Sequence, residues 1–196
     1  MTPKEKIFAF IKKHWFNGLF FTAFFILLFN TDAKAWVLQQ LFVVGLFKAD
    51  LQPEALQEKA APDNMNLNFM DAHGKVVPVS DLKGKVVFIN FWATWCPPCR
   101  AEMPSIHSLY KKLQPDDNFV FLMVDVDSNQ DKAKQYMQQY GFDLPVYVPA
   151  GPIPQSLFNG TLPTTLVFAK DGKLVMKQEG IANYNTDAFI KKLQQL

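Results

Sequence analysis

The chain contains only two cysteines, Cys96 and Cys99, which are separated by two residues and follow an apolar run. A structural disulfide framework would need further cysteine pairs, and a four-thiolate zinc site would need two more thiolates, so both are excluded. The apolar run, residues 86–92 (VVFINFW), is short and rich in β-branched and aromatic residues, which predicts a buried strand. Beyond Cys99 the apolar residues recur at helical spacing, at Met103, Ile106, Leu109, Tyr110 and Leu113. The pattern therefore predicts a dithiol at a strand-to-helix junction.

That position makes the two thiols chemically unequal. At the start of a helix, unpaired backbone N–H groups and the helix dipole favour an anion. Because the thiolate is the reactive form, we expect Cys96 to be the nucleophile and Cys99, one turn into the helix, to be the resolving thiol. A lone CxxC is also compatible with half of a zinc site or with a chance pair of core cysteines. The strand, the aromatic flank and the helix together favour the redox pair.

Residues 85–104, KVVFINFWATWCPPCRAEMP, resemble the active-site segment of membrane-associated thioredoxin-like disulfide reductases, the TlpA/ResA group. The resemblance continues in residues 162–165 (LPTT) and 171–173 (DGK), and it covers roughly residues 61–196. It implies an α/β thioredoxin-like fold, in which helices flank a mixed central sheet and a β-hairpin is added on the N-terminal side. It also implies a disulfide reductase that uses the Cys96–Cys99 disulfide, with no other cofactor and no metal.

The globular part, residues 61–196, alternates strand-like and helical patterns, as an α/β sandwich does. Strands are predicted at residues 65–70, 76–79, 86–92, 119–126, 145–148, 164–169 and 174–179. Helices are predicted from about Pro97, over residues 128–140 with Ser128 as the cap, and over residues 185–195 with Thr186 or Asn185 as the cap. The polar turns at residues 71–74 and 170–173 predict two hairpins.

The first 34 residues have the character of a membrane segment. Four lysines precede an uncharged apolar run at residues 15–29, and such a basic flank stays in the cytoplasm. The run would span about 22 Å at about 1.5 Å per residue, less than a hydrocarbon core of about 30 Å. Residues 33–35 (AKA) also fit a small-x-small cleavage site, so a removed signal peptide is the alternative.

The segment that follows favours a retained anchor. Residues 35–47 are again strongly apolar, which suits a segment lying on the outer membrane face better than a free N-terminus. Residues 35–60 are thus predicted to be an apolar or amphipathic segment followed by a linker. With either an anchor or a signal peptide, the globular domain is exported.

Glu102 lies three residues after Cys99, which puts both on one helix face. A carboxylate there can exchange a proton with the resolving thiol and raise thiol pKa values, or it can simply complement the helix dipole. The resembled group has a Glu at this position, which favours the catalytic role, and we expect a surface side chain. Asn90 stands where cytosolic thioredoxins have a buried Asp, and an amide cannot act as a base. Proton transfer is therefore expected to rely on Glu102 or water.

The resemblance also implies a docking surface for a peptide. In thioredoxin-like proteins a proline in the position of Pro163 is cis, so that the backbone of the preceding residue, here Leu162, pairs with the incoming chain. Trp95 and Pro97, on either side of Cys96, are expected to complete this surface. Trp92 is predicted to lie in the core.

The remaining charged residues indicate no further chemistry. Arg100 is expected to be a solvated surface charge. His14, His73 and His107 have no spacing that suits a metal or a cysteine–histidine dyad, so they are predicted to be structural or surface residues. The formal net charge is +2 with mixed signs, which gives no reason to expect a nucleic-acid partner.

These observations predict an exported thiol–disulfide oxidoreductase, tethered to the cytoplasmic membrane with its N-terminus in the cytoplasm and its thioredoxin-like domain in the periplasm. Because that compartment is oxidising, a working reductase there needs electrons delivered through the membrane. By resemblance, the donor would be a transmembrane thiol transporter of the DsbD/CcdA kind. The recipient would be the haem-attachment cysteines of an apocytochrome c, in cytochrome c biogenesis, or disulfides of other envelope proteins.

Two other functions compete with this prediction. A peroxiredoxin-like thiol peroxidase has a related fold, but its reactive cysteine normally sits in a Pro-x-x-x-Thr-x-x-Cys setting, and no proline precedes Thr94 at the needed spacing. A redox-inert binding module would keep only the fold. The presence of Cys96, Cys99 and Pro163 argues against such a module.

Overall fold

The computed structural model describes residues 15–22, 24–26, 28–43 and 65–196. Helices α1 to α4 span Thr31–Val43, Pro97–Leu113, Gln130–Gln139 and Asp187–Gln194. Strands β1 to β7 span Asn68–Met70, Val76–Pro78, Val86–Trp92, Phe119–Asp125, Val146–Pro149, Thr164–Phe168 and Leu174–Glu179. A 3-10 helix at Val79–Leu82 leads from β2 towards β3.

The strands form one mixed seven-stranded sheet in the order β2-β1-β5-β4-β3-β6-β7. β3 pairs with β4 and β4 pairs with β5 in parallel, while the other neighbours are antiparallel. β1 and β2 form the added N-terminal hairpin and join the main sheet through β5. The α/β thioredoxin-like architecture with a mixed sheet, predicted from the sequence, is confirmed.

The central strand β3 is buried along its whole length because side chains on both of its faces pack into cores. Val86, Phe88 and Trp92 point to a cluster that includes residues of α2, α3 and α4. Val87, Ile89 and Phe91 belong to a second cluster with residues of β1 and of the segment around Leu157. A strand that is buried on both faces has a nearly continuous apolar sequence. The bounds of β3 could therefore be predicted correctly from the sequence.

Other element bounds differ from the prediction by a few residues. The first hairpin is shorter than expected because Leu67 N–H donates back to the Met65 carbonyl at 2.8 Å, so that β1 begins at Asn68, and because a 3-10 helix starts at Val79. Helix α3 is capped by Asn129, not by Ser128, which adopts a φ of 55°. Thr186 caps α4 through a hydrogen bond from Phe189 N, as predicted.

At the N-terminus, residues 15–22, 24–26 and 28–29 are helical, and α1 begins after Asn30. The Asn30 side chain accepts hydrogen bonds from the N–H groups of Asp32 and Ala33, which caps α1, and α1 packs against α2. Among the residues described, no helix combines the length and apolar character needed to cross a membrane. The predicted basic flank before residue 15 and most of the predicted linker lie outside the described residues.

Candidate active site

The two cysteines lie at the junction of β3 and α2, where they are joined as a disulfide. Cys96 is the N-cap of α2, and its Sγ accepts a hydrogen bond from the N–H of Cys99 at 3.3 Å. Pro97 and Pro98 fill the first turn, where a missing N–H removes no intrahelical hydrogen bond. In the reduced protein the same N–H group would stabilise a Cys96 thiolate, and the role of Cys96 as the nucleophile stays a prediction.

The loop before β6 lies at the same edge of the sheet. The bond between Leu162 and Pro163 is cis, as the resemblance implied. Thr164, the next residue, pairs in register with Phe91 of β3, so the proline is brought next to the strand end that leads into the dithiol. The Pro163 carbonyl accepts a hydrogen bond from Gly180 N at 2.8 Å, which ties the loop to the end of β7.

Glu102 is fully buried, so the expectation that it is a surface residue was wrong. Its position on the inner face of α2 points the carboxyl into the protein, towards the C-terminal loop and β3. Asn90 Nδ2 donates a hydrogen bond to Oε1 at 2.7 Å, and the N–H of Ala182 donates to Oε2 at 3.3 Å. Burial raises the pKa of Glu102 to about 8, although the two donors act in the opposite direction. At neutral pH this carboxyl therefore holds a proton in most molecules.

Asn90 links Glu102 to two residues that the sequence did not single out. Its Nδ2 also donates to Thr165 Oγ1 at 2.9 Å, and Tyr184 OH donates to the same oxygen at 2.8 Å. Tyr184 is fully buried, and burial raises its pKa well above the usual value. Asn90 Oδ1 is buried and has no hydrogen-bond partner within the described part of the chain, so it could accept the proton of a neutral Glu102 if the amide flipped and exchanged Oδ1 with Nδ2. Asn90 is thus the residue that holds the buried acid.

The two tryptophans near the dithiol differ as predicted. Trp92 is fully buried, whereas 53% of the surface of Trp95 is exposed. The indole N–H of Trp95 donates a hydrogen bond to Asp127 Oδ2 at 2.7 Å, in the loop after β4. Asp125, which pairs in register with Trp92, is buried, and burial raises its pKa. The ring of Trp95 is thus held at the surface directly before Cys96.

Arg100 is buried, so the prediction of a solvated surface charge was wrong. Its guanidinium lies 5.3 Å from the ring centre of Tyr136 and 5.4 Å from that of Tyr140. Nη2 donates a hydrogen bond to Tyr140 OH at 2.7 Å and forms an ion pair with Asp32 of α1. The contact with Asp32 spans 68 positions, and no local pattern in the sequence signals it.

The histidines are placed as follows. His107 Nε2 accepts a hydrogen bond from Asp143 N at 3.4 Å and its ring lies against Phe142, while His73 is exposed in the first hairpin turn. His14 lies outside the described residues. Within residues 15–22, 24–26, 28–43 and 65–196, no group of three His, Cys, Asp or Glu side chains could hold a metal ion.

The chain is similar to known proteins in sequence and in fold. The model of the Redoxin family matches residues 56–190. The thiol-disulfide oxidoreductase ResA of Bacillus thuringiensis (strain Al Hakam) is 35% identical over 170 residues, which cover 86% of this chain and 92% of that protein. Similar solved structures include a thiol:disulfide interchange protein of the thioredoxin family from Chlorobium tepidum TLS, with 27% identity and a TM-score of 0.54 over 68% of this chain and 98% of that one. They also include an exposed lipoprotein thioredoxin from Streptococcus pneumoniae, with 29% identity and a TM-score of 0.50 over 66% of this chain and 98% of that one.

A redox pair at the start of a helix, a cis-proline loop beside it and these similarities agree. The chain belongs to the Redoxin family and, within it, to the ResA-like thiol–disulfide oxidoreductases.

Proposed function

We propose that the chain is a disulfide reductase that is tethered to the cytoplasmic membrane and acts on the periplasmic side. The observation that carries the reductase activity is the Cys96–Cys99 pair at the start of α2, together with the buried Glu102 one turn later on the same helix. A carboxyl with a pKa of about 8 can give or take a proton near neutral pH, which is what thiol–disulfide exchange requires.

The proposed reaction begins with the reduced protein. The Cys96 thiolate attacks one sulfur of a substrate disulfide, forms a mixed disulfide and releases the other substrate sulfur as a thiolate. The Cys99 thiolate then attacks Cys96 Sγ, which releases the second substrate thiolate and leaves the Cys96–Cys99 disulfide. Two electrons have passed to the substrate; water takes up the proton that Cys99 loses, directly or through an ionised Glu102, and protonates the substrate thiolates.

The substrate is proposed to dock against Trp95, Pro97 and the backbone of Leu162 beside Pro163. The exposure of Trp95 supports this, because an indole held at the surface offers a large rigid contact at small entropic cost. The register between Phe91 and Thr164 supports it too, since that pairing brings the cis-proline loop to the end of β3.

The membrane tether is proposed from the N-terminal segment. Large apolar side chains stay exposed there, which is unfavourable in water and suits a lipid environment. They include Trp15, Phe16, Leu19, Phe20, Phe21, Phe24, Phe25, Ile26, Leu28 and Phe29. Lysines 4, 6, 12 and 13 precede this segment, and they orient the N-terminus towards the cytoplasm and the thioredoxin-like domain towards the periplasm. The similarity to an exposed lipoprotein thioredoxin supports an extracytoplasmic location.

The redox partners follow from that location. A transmembrane thiol transporter of the DsbD/CcdA kind would return Cys96–Cys99 to the dithiol state. Envelope proteins with disulfides would receive the electrons, and an apocytochrome c is proposed among them, as the resemblance of the active-site segment to the TlpA/ResA group implied.

Three measurements test the proposed function. The reduced full-length protein should reduce insulin disulfides, and its reduction potential should lie closer to the value of about −270 mV for thioredoxin than to about −120 mV for DsbA. Cys96→Ser should abolish the reaction, whereas Cys99→Ser should stop it at the mixed disulfide and so trap the natural substrate. Failure of the wild-type protein to reduce insulin would support an inert binding module, and rapid peroxide consumption would support a peroxidase.

A further inference from the structure

A polar groove lies beside Thr94 and Trp95, the two residues that precede Cys96. Thr94 and Trp95 form one wall, and helices α1 and α3 form the others. Arg100 lies at its base, and Lys132 of α3 stands at its rim. The residues directly before the attacking Cys96 therefore border a groove that contains two positive charges.

Arg100 is held in a fixed position by its neighbours. Only 9% of its side chain is exposed, and its guanidinium lies against the rings of Tyr136 and Tyr140. Its hydrogen bond to Tyr140 OH leaves that hydroxyl able to donate onwards. A buried guanidinium requires a compensating anion, since a buried charge is costly unless it is paired. The base of the groove is therefore built to receive a carboxylate.

A carboxylate already occupies this place. Asp32 of α1 pairs with Arg100, and its Oδ1 accepts a hydrogen bond from Tyr140 OH at 2.8 Å. Unlike Arg100, the Asp32 side chain is 60% exposed, so water can replace its contacts when it leaves. Helix α1 itself packs against α2, with Ala35 buried and residues 37–39 partly buried, so only the Asp32 side chain has to move. The site is rigid, and the side chain that occupies it borders solvent.

We infer that this groove is a subsite for an acidic side chain of the polypeptide substrate, and that Asp32 is an internal occupant that such a side chain displaces. The inference rests on the proposed function, because it assumes a substrate that carries a disulfide. When Asp32 leaves, the buried Arg100 guanidinium needs another anion, and an acidic side chain of the substrate restores that pairing with Lys132 at the rim. An acidic residue bound there would lie next to Trp95 and would help to hold the substrate disulfide near Cys96.

The test uses single-turnover oxidation of the reduced full-length protein, freed of reductant. The oxidants are disulfide-linked peptide dimers in which one position near the cysteine carries either Asp or the matched Asn, and the position is varied across a peptide series. For at least one position, Asp32→Asn should raise the ratio of the Asp-peptide rate to the Asn-peptide rate by about fivefold, since the internal competitor is weakened. That ratio should fall with added salt, because the contact is ionic.

Two further variants separate the groove from general charge effects. Asp117→Asn serves as the control, because it changes the net charge by the same amount in the exposed loop between α2 and β4. Its ratio of the Asp-peptide rate to the Asn-peptide rate should equal that of the wild type. Lys132→Gln, combined with Asp32→Asn, should reduce the gain. Arg100→Gln should abolish the preference, and the Lys132 variant tests the same charge dependence if the Arg100 variant fails to fold.

If the ratio of the Asp-peptide rate to the Asn-peptide rate is the same for Asp32→Asn and the wild type at every peptide position, the proposed subsite is refuted, even if all peptides are reduced. Failure of the wild-type protein to be oxidised by any peptide would instead refute the proposed function, and the subsite with it.

Discussion

Glu102 should make the stability of this protein depend on pH in a way that Glu102→Gln removes. The carboxyl is fully buried, and its pKa rises from 4.5 in the unfolded chain to about 8 in the folded protein. Because the folded pKa is the higher one, the folded state carries no ionisation penalty below pH 4.5, and stability is lost as the pH rises towards 8. Glu102 should therefore lower the free energy of unfolding progressively across this window.

The size of the effect follows from the two pKa values. The difference between 4.5 and about 8 corresponds to a loss of about 5 kcal/mol above pH 8, and to about 3 kcal/mol at pH 7, where the unfolded carboxyl is ionised and the folded one is mostly neutral. A Gln side chain avoids this penalty, but its amide cannot accept from both Asn90 Nδ2 and Ala182 N, which costs about 1 kcal/mol. Glu102→Gln should thus destabilise the protein by about 1 kcal/mol at pH 4 and stabilise it by about 2 kcal/mol at pH 7.

The assay is urea unfolding of the oxidised full-length protein at several pH values between 4 and 8, followed by circular dichroism. Comparing both proteins at each pH cancels the other titrating groups, Asp125 included. The m-value should not change, since the same surface is exposed on unfolding. Glu179→Gln, the same exchange at a partly exposed side chain, should stay within about 0.5 kcal/mol of the wild type at pH 7. Wild-type and Glu102→Gln curves that run parallel over the whole range would refute the reasoning.

Three further predictions concern the thiols and the membrane. Alkylation of the reduced protein at neutral pH should label Cys96 first, because Cys96 caps the helix and its thiolate is stabilised there; faster labelling of Cys99 would reverse the assignment. Glu102→Gln should lower the apparent thiol pKa values, most clearly near and above pH 8, where the wild-type carboxyl ionises. The two thiols can titrate as a coupled pair, so the macroscopic pKa values of the two proteins are the ones to compare. Equal values would leave Glu102 without a role in thiol ionisation. The full-length protein should stay with membranes through a high-salt wash, because apolar burial is not screened by ions; a mature N-terminus at Trp36 would instead establish a cleaved signal peptide.

The sequence predicted best those features that depend on local patterns. The bounds of β3, the start of α2 at Pro97 and the capping of α4 by Thr186 all follow from apolar runs, prolines and cap residues that act on their own neighbours. The cis bond before Pro163 has no local signature, and only the resemblance to a known family implied it.

The errors concern side chains whose environment is set by distant segments. Glu102 and Arg100 are of ionisable residue types, and such residues are exposed unless groups far along the chain pair with them. Asp32 covers Arg100, while Ala182 and Asn90 enclose Glu102. Helical spacing does not reveal these partners, because they are brought together only when α1, β3 and the C-terminal loop pack on α2.

The pairing of Asn90 with Glu102 explains why an amide occupies that strand position. With a second carboxyl 2.7 Å away, two acids would share one buried site, and at least one of them would be forced to stay protonated. An amide avoids this conflict, because Nδ2 can donate to an ionised Glu102 and Oδ1 can accept from a neutral one. Thr165 and Tyr184 extend the network on the far side and keep the amide in place. The titrating acid of this network therefore lies on helix α2, at Glu102, where its proton is one turn from Cys99.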